Sequence, residues 1–95
     1  MLKHDQIVQA VSKAKKEYPI TKAAYFGSYA DGNATEKSDL DLLVEFEQES
    51  ISVLTIIGLK HLMEDELGVS VDVIHAPLPP NALIKIENEV LVYGK

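Results

Sequence analysis

The amino-acid sequence predicts an α/β (α+β) fold: a small mixed β-sheet with helices packed on one face. Three observations predict it. Residues 5–18 and 52–67 carry apolar side chains at helical spacing. Residues 39–46 alternate with a period of two, the pattern of a strand with one buried face. Short apolar runs at 22–26 and 69–75 separate the helical segments, giving the order α-β-turn-β-α-β-α.

Each element has its own local reason. Asp5 is a suitable N-cap for the first helix, and Ile7, Val8, Val11, Ala14 and Tyr18 form its stripe. Pro19 ends it, because the residue before proline avoids the α region. Lys22–Phe26 is a short strand that stops at Gly27-Ser28, and residues 28–31 begin a short helix broken by Gly32 and Asn33. Leu40, Leu42, Val44 and Phe46 point to the core, so Asp39 and Asp41 point together to the opposite face. Val53, Ile56, Ile57, Leu59, Leu62, Met63 and Leu67 give the second helix a broad stripe that stops at Gly68. Val71 and Val73 then alternate with Asp72 and Ile74. Pro77, Pro79 and Pro80 make a stiff turn, Asn81 caps a last short helix to about Asn88, and Val90-Leu91-Val92 closes the chain as an extended segment.

Ninety-five residues predict one domain spanning 1–95. A chain of this size buries roughly 60–65% of its unfolded surface, enough to fold alone but with little to spare. The composition, 46% apolar and 25% charged, is that of a globular protein. The chain contains no cysteine, which excludes disulfides and thiolate metal sites and suits the cytoplasm. No apolar run approaches the roughly 20 residues of a membrane span, and Met1–Asp5 lacks a signal-peptide core. The net charge is −6 and all nine basic residues are lysines, so direct nucleic-acid binding is not expected. Lys13, Lys15 and Lys16 read as a solvated helix face, and His4, His61 and His75 as surface or rim residues rather than a metal cluster.

The chemistry is carried by acids and a turn. Two carboxylates one residue apart on a strand repel each other, and a cation between them removes the penalty. Oxygen ligands on a rigid pair suit Mg²⁺, which also keeps waters and recruits phosphates. Asp72 completes the set if its strand neighbours the one bearing Asp39 and Asp41. Two of the acids also have an ordinary explanation, Asp39 as a turn residue and Asp72 as a solvent-facing one, whereas Asp41 is the second acid in an otherwise apolar strand, where Asp is disfavoured. Spacing alone leaves both readings open. Gly27 permits close backbone approach to a ligand, and Ser28 adds a hydroxyl donor where helix N–H groups favour an anion.

The combination is more specific than its parts. Gly27-Ser28, ten residues and then Asp39-Leu40-Asp41 resembles the signature of the polymerase-β-like nucleotidyltransferase superfamily. The strings Phe26–Gly32 and Ser38–Val44 resemble its minimal nucleotidyltransferase (MNT) family, and Asp72 matches that family's third carboxylate. The resemblance implies a nucleotidyltransferase fold and transfer of a nucleoside monophosphate, AMP from ATP, to a hydroxyl. It implies Asp39, Asp41 and Asp72 as catalytic residues and ligands of two Mg²⁺ ions, with Gly27 and Ser28 binding the nucleoside triphosphate. It also implies a HEPN-domain toxin as partner, with this chain as the antitoxin in a homo- or hetero-oligomer. Neutralisation by contact alone and transfer to a small molecule are the other functions the resemblance leaves open. One position departs from the pattern: Asp31 stands in an Ala30-Asp31-Gly32 triplet where the family commonly carries arginine, so an anion replaces a cation near the triphosphate.

Overall fold

The computed structural model of the chain describes residues 1–48, 50–76 and 88–94. The expected proline turn and the expected helix from Asn81 fall outside the described residues, apart from Asn88. Seven elements follow in order: α1 (His4–Ala14), β1 (Ile20–Phe26), α2 (Ser28–Asp31), β2 (Leu40–Phe46), α3 (Val53–Leu67), β3 (Val71–His75) and β4 (Glu89–Tyr93). Among the described residues these strands form a mixed sheet in the order β3-β2-β1-β4. β1 pairs antiparallel with both β2 and β4, while β2 and β3 are parallel, as a strand–helix–strand crossover through α3 allows. The expected extended segment at 90–92 is thus the edge strand β4.

Alternation in β2 builds the layers. Leu40, Leu42, Val44 and Phe46 are buried, and the residues between them are half-buried. The inward side chains meet Ile7, Ala10, Val11 and Ala14 of α1 and Leu59 and Met63 of α3 in one cluster, so both helices pack on the same sheet face. The opposite face carries Asp41 and Asp72.

Three local expectations need correction. α1 starts one residue before Asp5, and Gln6 Oε1 accepts the Lys3 N–H at 2.8 Å, so Asp5 lies within the first turn, where its charge suits the helix dipole. The helix ends at Ala14, not at Tyr18, and the chain reaches Pro19 through turns in which Glu17 and Tyr18 N–H donate to the Ala14 carbonyl. In α3 only Leu59 and Met63 of the expected stripe are fully buried, while Val53 and Ile57 are exposed to 69% and 41%. The first half of that helix carries apolar side chains on several sides, with Val53, Leu54, Ile56 and Ile57 close together, so periodicity could not select the buried face. Its ends conform to expectation: Ser52 Oγ accepts the Leu54 N–H at 3.1 Å, and Gly68 closes the helix in the left-handed conformation.

Candidate active site

β1 runs into a turn that only glycine makes comfortably. Gly27 has φ +72° and ψ −145°, and its carbonyl accepts the Asp31 N–H at 3.0 Å to start α2. α2 lasts four residues and stops at the left-handed Gly32. Gly27 also lies against Asp41: a Cβ there would run into the Asp41 carboxylate. The glycine and the acid, fourteen positions apart, are therefore parts of one small space, with Ser28 half-buried at its edge.

The loop after α2 ties itself down before it delivers the acids. Thr35 N–H donates to Ser38 Oγ at 2.8 Å, and Lys37 N–H reaches Thr35 Oγ1 at 3.3 Å. Asp39 follows, exposed and one residue ahead of β2. The condition that sequence placed on Asp72 is met: β3 lies beside β2, and Asp41 and Asp72 are direct cross-strand partners. Burial raises the Asp41 pKa above the usual carboxylate range, and the negative charges of Asp72 and then Asp39 push it the same way. The structure thus brings together all five of Gly27, Ser28, Asp39, Asp41 and Asp72, with Asp41 at the centre. Among the described residues the acids do not form a closed three-ligand metal cage. Mg²⁺ does not require one, since it is commonly held by one or two carboxylates plus phosphates and water. Oxygen donors, mutual repulsion at Asp41 and the missing Cβ at Gly27 fit such an ion.

Cross-strand register extends the site. The pairings Asp72–Asp41–Phe26–Glu89 run across all four strands, and Ile74–Leu43–Ala24–Leu91 form an apolar row behind them on the same face. Beside this floor, α3 contributes two residues that sequence reasoning missed. Lys60 Nζ lies 3.8 Å from Asp72 Oδ1 and donates to the Val71 carbonyl at 2.7 Å. Glu64 Oε2 accepts the Val71 N–H at 3.0 Å, and this bond, ahead of the Lys60 charge, lowers the Glu64 pKa. Their spacing of four on one helix was the available signal, but nothing in the sequence tied it to Asp72.

Other candidates fall outside the site. Tyr29, beside the Gly27 turn, packs against the core, and its buried hydroxyl has no hydrogen-bond partner among the described residues. Asp31 is held by Asn88, whose Nδ2 donates to its carboxylate at 3.0 Å. His61 is exposed, His75 packs edge-on against Phe46, and His4 shares a 2.9 Å hydrogen bond with the Tyr25 hydroxyl. Lys13, Lys15 and Lys16 are exposed, with Lys13 paired to Glu66 and Lys15 over the Tyr93 ring.

Known proteins share both the sequence and the architecture. The chain is 34% identical over 97 residues to the protein adenylyltransferase MntA of Thermococcus cleftensis, covering 98% of this chain and 97% of that protein. Its fold superposes on a chain of a crystallised toxin–antitoxin complex with AMP-PNP (TM-score 0.77, 17% identity), covering 93% of this chain and 73% of that one. It also superposes on a chain of a complex between a tri-AMPylated Shewanella oneidensis HEPN toxin and its MNT antitoxin (TM-score 0.71, 14% identity), covering 98% and 74%. At such identities the two superpositions speak for the fold. The model of the nucleotidyltransferase domain matches residues 5–93, and with the MntA similarity this shows that the chain belongs to the nucleotidyltransferase domain family.

Proposed function

We propose that residues 1–95 form one catalytic domain, a cytoplasmic Mg²⁺-dependent protein adenylyltransferase that moves AMP from ATP to a hydroxyl of a HEPN-domain toxin and thereby neutralises it. The observation that carries this reading is the pairing of Asp41 with Asp72 across β2 and β3, against the Gly27 turn. The names of the similar proteins support the acceptor and the partner: one is a protein adenylyltransferase, and another structure holds an AMPylated HEPN toxin.

The chemistry follows from the side chains. Gly27 and Ser28 bind the distal phosphates, so that pyrophosphate is the group that leaves. Asp39 and Asp41 hold the metals, with Asp72 as the third ligand. Two Mg²⁺ ions, when bound, supply the positive charge that stabilises the entering and leaving oxygens. The acceptor oxygen bonds to the α-phosphorus, the bond to the bridging oxygen of pyrophosphate breaks, and the acceptor's proton passes to a base, the role of Asp72 in place of metal binding. Positioning and electrostatics account for most of the catalysis in transfers of this kind.

The test is transfer of label from α-labelled ATP, with Mg²⁺, to the co-purified partner. Label on the partner that is lost in Asp41→Ala supports the reading. A partner neutralised equally well by Asp41→Ala would mean that contact alone neutralises it. A partner that takes no label, beside a labelled small-molecule hydroxyl, would move the acceptor to the third reading.

A further inference from the structure

We propose that Lys60 is a positioning residue for Asp72: from α3 it fixes both the backbone before the third carboxylate and the carboxylate itself. The inference rests on the reading of Asp72 as part of the transferase site. Among the described residues β3 lies at the edge of the sheet, and edge backbone groups need partners. Leu40 N–H takes the Ser70 carbonyl at 2.9 Å on the inner side, which leaves the N–H and C=O of Val71 pointing outward. Glu64 accepts that N–H and Lys60 donates to that C=O, so one turn of α3 clamps the peptide groups just ahead of Asp72.

The same ammonium stands 3.8 Å from Asp72 Oδ1 and 3.6 Å from Glu64 Oε2. Asp72 therefore has a cation on its outer side and Asp41 on its inner side. Repulsion from Asp41 and attraction to Lys60 act on the Asp72 carboxylate in the same sense, so it is drawn to one orientation rather than swinging freely. The Lys60 and Asp72 side chains are 36% and 57% exposed, so their attraction adds little to stability. What the contact supplies is direction: the Asp72 carboxylate has one fixed partner beyond its strand, on the side away from Asp41. Removal of Lys60 should then impair the site far more than the fold.

The experiment uses the full chain with Lys60→Met, Lys60→Arg, Asp72→Asn and the double variant Lys60→Met/Asp72→Asn. Mn²⁺ binding is titrated by electron paramagnetic resonance in the presence of ATP, and label transfer to the partner is measured alongside. Lys60→Met is expected to weaken Mn²⁺ binding and lower kcat by roughly 10-fold or more, the range seen when supporting groups behind metal ligands are removed. KM for ATP should change little, because the Gly27-Ser28 turn is untouched, and Lys60→Arg should recover most of the loss. In the Asp72→Asn background Lys60→Met should add nothing, since its effect runs through Asp72. Mn²⁺ binding that is unchanged or tighter in Lys60→Met overturns the inference, because loss of a nearby cation acting through charge alone would tighten it. Equal losses in both backgrounds overturn it too. A wild-type chain that transfers no label refutes the proposed function, and the Mn²⁺ cycle then judges Lys60 by itself.

Discussion

Gly27 is where a single missing methyl group decides the site. A Cβ there would occupy the space of the Asp41 carboxylate, and the backbone conformation itself is strained for any other residue, by about 1–3 kcal/mol. Gly27→Ala should therefore displace Asp41 and lower AMP transfer by roughly 100-fold, the scale of a misplacement of about 1 Å. Label transfer measures this, and circular dichroism confirms that the helices persist. Asp41 carries the opposite kind of cost. Its folded pKa is raised above the unfolded value, first by burial and then by Asp72 and Asp39. The folded state thus binds its proton more tightly, so stability falls as pH rises through the raised value. Asp41→Asn should raise Tm at pH 7 in metal-free buffer, and the gain should vanish near roughly pH 3, where the acid is neutral in both states. A melt series across that range checks the sign. The family motif made Gly27, Ser28 and the three acids legible in the sequence. Their meeting was not, because it depends on which strands are neighbours.

At the scale of elements, legibility followed pattern strength. β2 was readable almost to the residue, since four buried side chains alternate with three that are not. α3 was readable as a helix but not as a face, because apolar side chains lie on several sides of its first half, and Leu54 is 79% exposed. The contact of Gly58 with Tyr18, where a Cβ would stand 2.5 Å from the hydroxyl, likewise had no sequence signal. α2 explains the odd residue of the motif. Its last position, Asp31, binds Asn88 and so links the end of α2 to the start of β4. The bond is exposed, and breaking it should cost no more than about 1 kcal/mol. Asp31→Arg is accordingly expected to lower Tm slightly while leaving ATP affinity unchanged or increased, as calorimetric titration would show. A marked loss of affinity would mean that Asp31 serves the nucleotide directly.

For the molecule as a whole, sheet order is what local signals could not supply. Alternation and turns locate strands, but the order β3-β2-β1-β4 joins segments far apart in sequence, and each pairing is a tertiary choice. That order puts helices and core on one face and the acid row on the other. Among the described residues no helix is long and apolar enough to cross a membrane.

The parallel pairing of β2 with β3 also bears on the chain as it emerges from the ribosome. Gly27, Asp39 and Asp41 can form their hairpin early, but Asp72 reaches Asp41 only after α3 has been synthesised and packed. β4 then closes on the far side of β1 last of all. A partly made chain thus holds the glycine turn and two acids without the third, and the complete acid set becomes available only once α3 and β3 have been made and packed.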